Sequence, residues 1–300
     1  MTAAQSGIFA LGTGSHAYLE FDRLPGVTAQ ALAAALASVR EPRTTVGGVN
    51  LVIGFRPELW RELAPDGLPA DVNGFNTPIV GAEDFTMPAT QRDAVLWLAG
   101  SEYDVIYDEA RGAINALAGV ATLADEASGW PYQRFRDLTG FIDGTENPSL
   151  LEAPGVALIP EGQPGAGGSV LLHQLWPHDV AAWEGIPVPQ QEVVIGRTKP
   201  DSIELDPRPT DSHVARTDQD TFGNVFRRNM PYGTVSENGT IFVGFCATQG
   251  PLAAMLESMA GVHDGVRDAL TRYSHPTTGA YYFVPSLDAI AAFAPPDDAA

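Results

Sequence analysis

Gly140-Phe141-Ile142-Asp143-Gly144-Thr145-Glu146-Asn147-Pro148 is the most informative stretch of this 300-residue chain. It sets one carboxylate, Asp143, between glycines in a turn-rich segment, where backbone approaches a ligand closely. The flanks, Leu138 to Ile142 and Pro148 to Leu151, are largely apolar. A carboxylate so placed is a candidate acid/base rather than a solubility charge. The competing reading is an Asx-type turn, with Asp143 capping local backbone. For Gly-x-x-Asp-Gly alone the turn would win, so the rest of the chain decides.

Upstream of this stretch the pattern alternates strands and helices. Ala17 to Phe21 alternates like a strand, and Thr28 to Val39 has helical periodicity with Thr28 as N-cap. Val49 to Phe55 reads as a buried strand, followed by a short helix over Pro57 to Leu63. Asp93 to Leu98 is a strand, Glu102 to Ala118 an amphipathic helix, and Val120 to Ala127 closes the unit. Strand–helix–strand–strand–helix–strand is the ferredoxin-like arrangement.

Downstream, from Trp130, the logic repeats more loosely. Val170 to Trp176, Thr240 to Ala247 and Tyr281 to Val284 read as strands. Asp179 to Ile195 reads as helix broken at Pro187 and Pro189, and Leu252 to Met259 and Val266 to Tyr273 as helices. The tail Ala294 to Ala300 reads as frayed. Gly-rich Glu161 to Gly168 lacks the Lys-Ser/Thr of a phosphate loop and precedes a strand, so it reads as a turn. The expectation is an α+β protein of two ferredoxin-like domains with antiparallel sheets, residues 1–129 and 130–300. Their interface is a place for a cofactor.

Composition narrows the partners. Lys plus Arg is 17, Asp plus Glu is 37, and the net charge is -20. This argues against nucleic acid and anionic membranes, which bind through neutralisation of their phosphates. It favours neutral or cationic small substrates in a weak, long-range sense. No segment reaches the roughly 20 apolar residues of a membrane span. The first residues lack a basic, apolar or twin-Arg export pattern, so the expected location is cytoplasmic. Cys246 is the single cysteine, which excludes intramolecular disulfides and makes Cys-ligated clusters untenable. In Ile241 to Ala247 it reads as a small core residue.

Among six histidines, His16, His173, His178, His263 and His275 read as structural or exposed. His213 stands in Asp211-Ser212-His213-Val214-Ala215-Arg216-Thr217-Asp218, a polar segment with charges on both sides. By itself it reads as a solvated loop histidine. Arg227-Arg228-Asn229-Met230-Pro231-Tyr232-Gly233 by itself reads as a basic strand end.

Taken in order, the three segments resemble the dye-decolorizing peroxidases, a family of haem enzymes. The resemblance runs from the first strand to Pro285 and is nearest the bacterial B-type group. It implies a haem b peroxidase, the haem held non-covalently and mainly by the second domain. His213 matches the proximal histidine that ligates haem iron. Asp143 and Arg227 match the distal acid/base and arginine, and Asn229 the distal amide. Arg228 falls on a variable position. The backbone of Gly144, Thr145 and Glu146, with Arg227, would line the haem, and Arg197 or Arg216 would meet a propionate. The implied reaction uses hydrogen peroxide to form a ferryl species that oxidises dyes, phenols or other small aromatic reductants.

A proximal histidine needs an acceptor for its other ring nitrogen. Asp218 and Asp220 are the nearby candidates, and a partner from elsewhere stays open, because the segment between His213 and Arg227 looks shorter than in several relatives. Trp130, Trp176, Trp183, Tyr232, Tyr281 and Tyr282 are the candidate aromatics for passing electrons to a bulky dye. Relatives commonly form homo-oligomers. Rival readings are a protein that stores haem or removes its iron, and cargo of an encapsulating compartment. Leu287 to Ala300 shows no basic-apolar docking peptide.

Overall fold

The computed structural model describes residues 2–39, 48–133 and 135–295. Most of the expected frayed tail, residues 296–300, lies outside them. The strands are β1 (Ser15–Arg23), β2 (Asn50–Phe55), β3 (Ile79–Val80), β4 (Thr86–Met87), β5 (Ala94–Gly100), β6 (Ala121–Gly129), β7 (Ser169–Pro177), β8 (Phe226–Arg227), β9 (Met230–Gly233), β10 (Asn238–Cys246) and β11 (Ala280–Val284). Helices run over Ala29–Ser38, Pro57–Leu63 and Tyr103–Leu117 in the first half. The second half carries Val180–Glu184, Val188–Ile195, His213–Arg216, Gln219–Phe222 and Gly250–Ala260.

The order β2-β5-β1-β6 is one ferredoxin-like sheet, and β11-β7-β10-β9 is a second of the same topology, all pairs antiparallel. The sheets join edge to edge at two places, Phe283 opposite Phe55 and Gly129 opposite Tyr232. The circuit therefore closes into an eight-stranded ring, a size whose interior side chains can fill. Strands β8 and β9 are one interrupted strand, since both pair with β10.

Side chains alternate across this wall. Tyr18, Trp97, Leu171, Phe226, Val243, Phe245 and Tyr282 fill the interior. Leu19, Phe21, Leu96 and Leu172 face outward onto the helices. Both faces are buried, which is why these strands read as apolar runs.

Local signals explain the helix ends. The Thr28 hydroxyl accepts from Ala31 N–H at 3.1 Å. Pro187 starts a new helix at Val188. The helix expected over Val266 to Tyr273 is reduced to a 3-10 turn, Ala269–Arg272. The Asp268 side chain caps Leu270 N–H at 2.9 Å, and that cap fixes where the turn begins. Cys246 is buried in β10, and burial pushes its thiol pKa up.

Candidate active site

The cavity that gathers the expected site residues does not lie between the halves. Every residue lining it falls between Asp137 and Ser274. The halves meet through paired strand edges around a ring filled with side chains. Room exists instead between the outer face of the second sheet and its own helices. Leu172, Gln174 and Trp176 of β7, with Thr240 and Phe242 of β10, form one wall. Leu252, Met255, Leu256 and Met259 of helix Gly250–Ala260 form another. The space is about 1250 Å³ with its open mouth included.

Asp143, Gly144, Thr145, Glu146, His213, Arg227 and Asn229 all line this cavity. Asp143 does make the Asx-type contact: Oδ1 accepts from Gly144 N–H at 2.7 Å. Gly144 has φ +74°, a backbone shape open to glycine. The turn and the acid/base readings are compatible, because a carboxylate has two oxygens and Oδ2 is left over. The expected apolar flank is half right. Phe141 is buried, whereas Leu150 and Leu151 are exposed.

Alternation sorts the two arginines. Arg227 faces the cavity, and its buried Nε has no partner. Arg228 turns into the ring and donates to Ile8 O at 2.8 Å and Ala10 O at 2.5 Å. Asn229 occupies the break between β8 and β9, where its Oδ1 accepts from Val243 N–H at 3.1 Å. Its Nδ2 remains as a donor on the cavity side.

His213 opens the single-turn helix His213–Arg216, capped by Ser212. Its Nδ1 lies 2.7 Å from Oδ2 of Asp268, a carboxylate with no exposed surface. Neither Asp218 nor Asp220 is the acceptor. Asp218 caps the next helix through Thr221 N–H at 2.9 Å and pairs with Arg208 at 2.7 Å. Asp220 sits in the exposed first turn of that helix. Burial alone would lower the His213 pKa, but the Asp268 charge and hydrogen bond outweigh it and hold the pKa above its ordinary value. Arg227 and Asp143 are near enough for their charges to act on the same ring, the first lowering and the second raising its pKa.

At the rim, Arg197 pairs with Glu146 at 2.6 Å. Arg216 does not reach the cavity. It is tied to Ser258 O at 2.7 Å and Asp264 at 2.8 Å.

A family model described as Dyp-type peroxidase, C-terminal, matches residues 134–289. A dye-decolorizing peroxidase of Mycolicibacterium paratuberculosis is 35% identical over 275 residues, covering 84% of this chain and 77% of that one. The chain belongs to the dye-decolorizing peroxidase family. A dye-decolorizing protein from V. cholerae superposes with TM-score 0.86 at 32% identity, covering 96% of this chain and 99% of the other. A Rhodococcus jostii RHA1 DypB variant in complex with heme gives TM-score 0.86 at 30% identity, covering 94% and 96%.

This DyP-type peroxidase carries further residues that sequence reasoning missed. Asp268 is 55 residues from His213, and nothing local marks the pairing. Asn147 holds the backbone of Arg227 from 80 residues away. His178 has a carboxylate beside it, Asp137 at 3.5 Å from its Nε2. His173 likewise has Glu20 at 3.5 Å. No described helix of the peroxidase is long and apolar enough to cross a membrane.

Proposed function

We propose that the cavity binds haem b non-covalently and that His213, through Nε2, would hold its iron. The observation that carries this is the His213–Asp268 pair, its carboxylate buried and its imidazole opening onto an apolar-walled cavity that also holds Arg227 and Asp143. The donor set fits the group. The one ring nitrogen left by Asp268 is a ligand atom, and the carboxylate fixes its tautomer and raises its basicity. Leu172, Trp176, Phe242 and Met259 suit a flat apolar macrocycle, and the Arg227 guanidinium in the lining suits an anionic ligand. The second half would hold the haem, with Gly144, Thr145 and Glu146 against it and Arg197 at the rim.

Haem would supply the iron that binds peroxide and the electrons that cleave its O–O bond. The chain supplies proton handling and charge. Asp143 Oδ2 takes a proton from one peroxide oxygen and returns it to the other, work that contributes about 10²–10⁴-fold. The Arg227 guanidinium donates to the departing oxygen, as charge-stabilising donors worth about 10²–10³-fold do. Asn229 Nδ2 orients bound peroxide or water, since its Oδ1 is held by β10.

Reducing equivalents come from small aromatic compounds such as dyes and phenols, neutral or cationic ones favoured by the net charge of -20. Working location in the cytoplasm and assembly into homo-oligomers belong to the same proposal.

The test is an absorption spectrum of the purified chain with haem, before and after peroxide. One haem per chain, a Soret band and extraction of the haem by acidic solvent are expected. His213→Ala loses haem or holds it weakly with an altered spectrum. A native spectrum in that variant overturns the assignment.

A further inference from the structure

The ring interior holds a set of flat side chains that the peroxide chemistry does not use. His16, Tyr18, Trp97 and His173 are all buried. Their rings lie nearly parallel: His16–Trp97 at 5.8 Å and 19°, Tyr18–Trp97 at 5.4 Å and 11°, Tyr18–His173 at 5.5 Å and 21°. A single layer of backbone separates them from the active cavity. His173 stands between Leu172 and Gln174, which face that cavity, and Arg228 over the Trp97 ring follows Arg227, which also faces it.

We propose that Trp97 is a built-in one-electron donor to the oxidised active site, with His16 as the acceptor of its proton. The proposal rests on the peroxidase reading of the cavity. The oxidant is the equivalent that peroxide leaves at the site when no external reductant arrives. Trp97 gives up one electron and the site is reduced by one. The Nε1–H bond breaks, the proton moves to His16 Nδ1, and a neutral indole radical remains on Trp97.

Three contacts select Trp97. Its Nε1–H donates to His16 Nδ1 at 3.1 Å, so the proton has a place to go. Arg228 sits 5.0 Å from the ring centroid. A fixed cation there disfavours a charged indole radical, so electron loss must be coupled to proton loss. His16 is the base for that step: burial first and the Arg228 charge second lower its pKa to about 4, which keeps it neutral and open to a proton. The His16 Nε2 contact with Thr13 Oγ1 at 3.1 Å completes the tautomer in which Nδ1 accepts.

Tyr18 shares the stack but is not the donor. Its buried hydroxyl has no hydrogen-bond partner, so a proton lost on oxidation would have nowhere to go. Tyr18 therefore bridges. Tyr282 is the internal rival, because its hydroxyl donates to Glu20 at 2.5 Å, but it has no ring contact with the stack. The donor spares the oxidisable cavity wall, above all Met255 and Met259.

The experiment mixes the haem-loaded protein with peroxide and no reductant. It reads freeze-quenched electron paramagnetic resonance, with ring-deuterated tryptophan or tyrosine as the label. Peptide mass spectrometry then locates the oxidised side chains. The wild type is expected to give a neutral tryptophan radical and oxidation at Trp97. Trp97→Phe loses the signal, and sulfoxide on Met255 and Met259 rises.

His16→Gln keeps a hydrogen-bond acceptor but no base, and also loses the signal; this holds the proposal to account if Trp97→Phe fails to fold. Tyr18→Phe removes only the unpartnered hydroxyl and keeps both radical and stability. A tryptophan radical persisting in Trp97→Phe overturns the proposal. So does a tyrosine radical that disappears in Tyr282→Phe. No radical in a wild type whose haem absorption responds to peroxide overturns the donor alone. An absorption that does not respond overturns the reading of the cavity and the donor with it.

Discussion

Asn147 holds Arg227 as a neighbouring strand would. Its Oδ1 accepts from Arg227 N–H at 2.8 Å and its Nδ2 donates to Arg227 O at 2.8 Å. Strand β8 is two residues long and pairs with β10 on one side only. The side-chain amide serves as the missing partner on the other side. The segment that carries Asp143 thus also sets the height at which Arg227 enters the cavity.

Removing that clamp separates position from chemistry. Asn147→Ala leaves a donor and an acceptor of Arg227 unpaired and is expected to destabilise by about 1–3 kcal/mol. Haem should still bind, because His213 is untouched, while the reaction with peroxide slows. Denaturant unfolding and stopped-flow mixing measure the two effects. Unchanged values for both would mean that β8 is positioned by β10 alone.

Asp143→Ala and Arg227→Ala should both bind haem, since neither ligates iron. At least one should slow the reaction with peroxide 10-fold or more, a bound of about the lower end for positioned acid/base and charge-stabilising groups. Stopped-flow absorption decides it. Wild-type rates in both variants remove the pair from the mechanism, and a loss in one identifies the dominant group.

Asp268→Asn retains a hydrogen-bond acceptor for His213 and removes the charge. Substitutions of this kind weaken metal affinity or activity by about 10–100-fold, and the reduction potential of bound iron should rise with the loss of a buried anion. Asp218→Asn should leave the potential unchanged, because that carboxylate faces Arg208 and a helix cap. Potentiometry on the two variants distinguishes them. A shift in Asp218→Asn with none in Asp268→Asn would reverse the assignment.

What the sequence shows and hides follows from range. Strands β2 and β7 are legible because both of their faces are buried, β1 because its residues alternate, and the Thr28 cap and Pro187 break because they act within a turn. The Arg227–Arg228 choice is legible only through the family pattern; two-residue β8 is too short to show its own alternation. Closure of the ring is hidden, since it depends on single pairings such as Phe283 with Phe55 at strand edges. Asp268 is hidden because a cap for Leu270 is a complete local explanation of an aspartate there. The place of the cavity is hidden too, because periodicity reports that a face is covered and not how far away the cover stands.

Asp137 gives a pH dependence with a definite sign. Burial alone would raise its pKa. The hydrogen bond and charge of His178, with Thr240 and Thr139 N–H, outweigh burial and hold the pKa well below the usual carboxylate range. A group lowered in the folded state adds stability above its unfolded pKa and loses it as pH falls through the folded one. The stability difference between wild type and Asp137→Asn should be full at pH 7. It should shrink as pH drops below the ordinary 3.8. Urea unfolding across that range tests it. A constant difference would show that the contribution is hydrogen bonding rather than ionisation.

Bulky dyes pose a different problem, because a cavity walled by helices and a sheet admits peroxide more readily than a large ring system. Of the six candidate aromatics, Trp176, Trp183, Tyr281 and Tyr282 are buried and Tyr232 is partly covered. Trp130 is the exposed one, at 37%. Its backbone N–H donates to Pro231 O at 3.1 Å, and Pro231 is two residues from Asn229 in the cavity wall. Trp130→Phe is therefore expected to lower turnover of a bulky dye. It should leave oxidation of a small phenol and the initial reaction with peroxide unchanged. Steady-state kinetics with both reductants on one preparation supplies the control. Equal dye turnover in wild type and variant would assign electron entry to the cavity mouth, and a parallel loss with the phenol would mean that Trp130 acts on the site itself rather than on surface transfer.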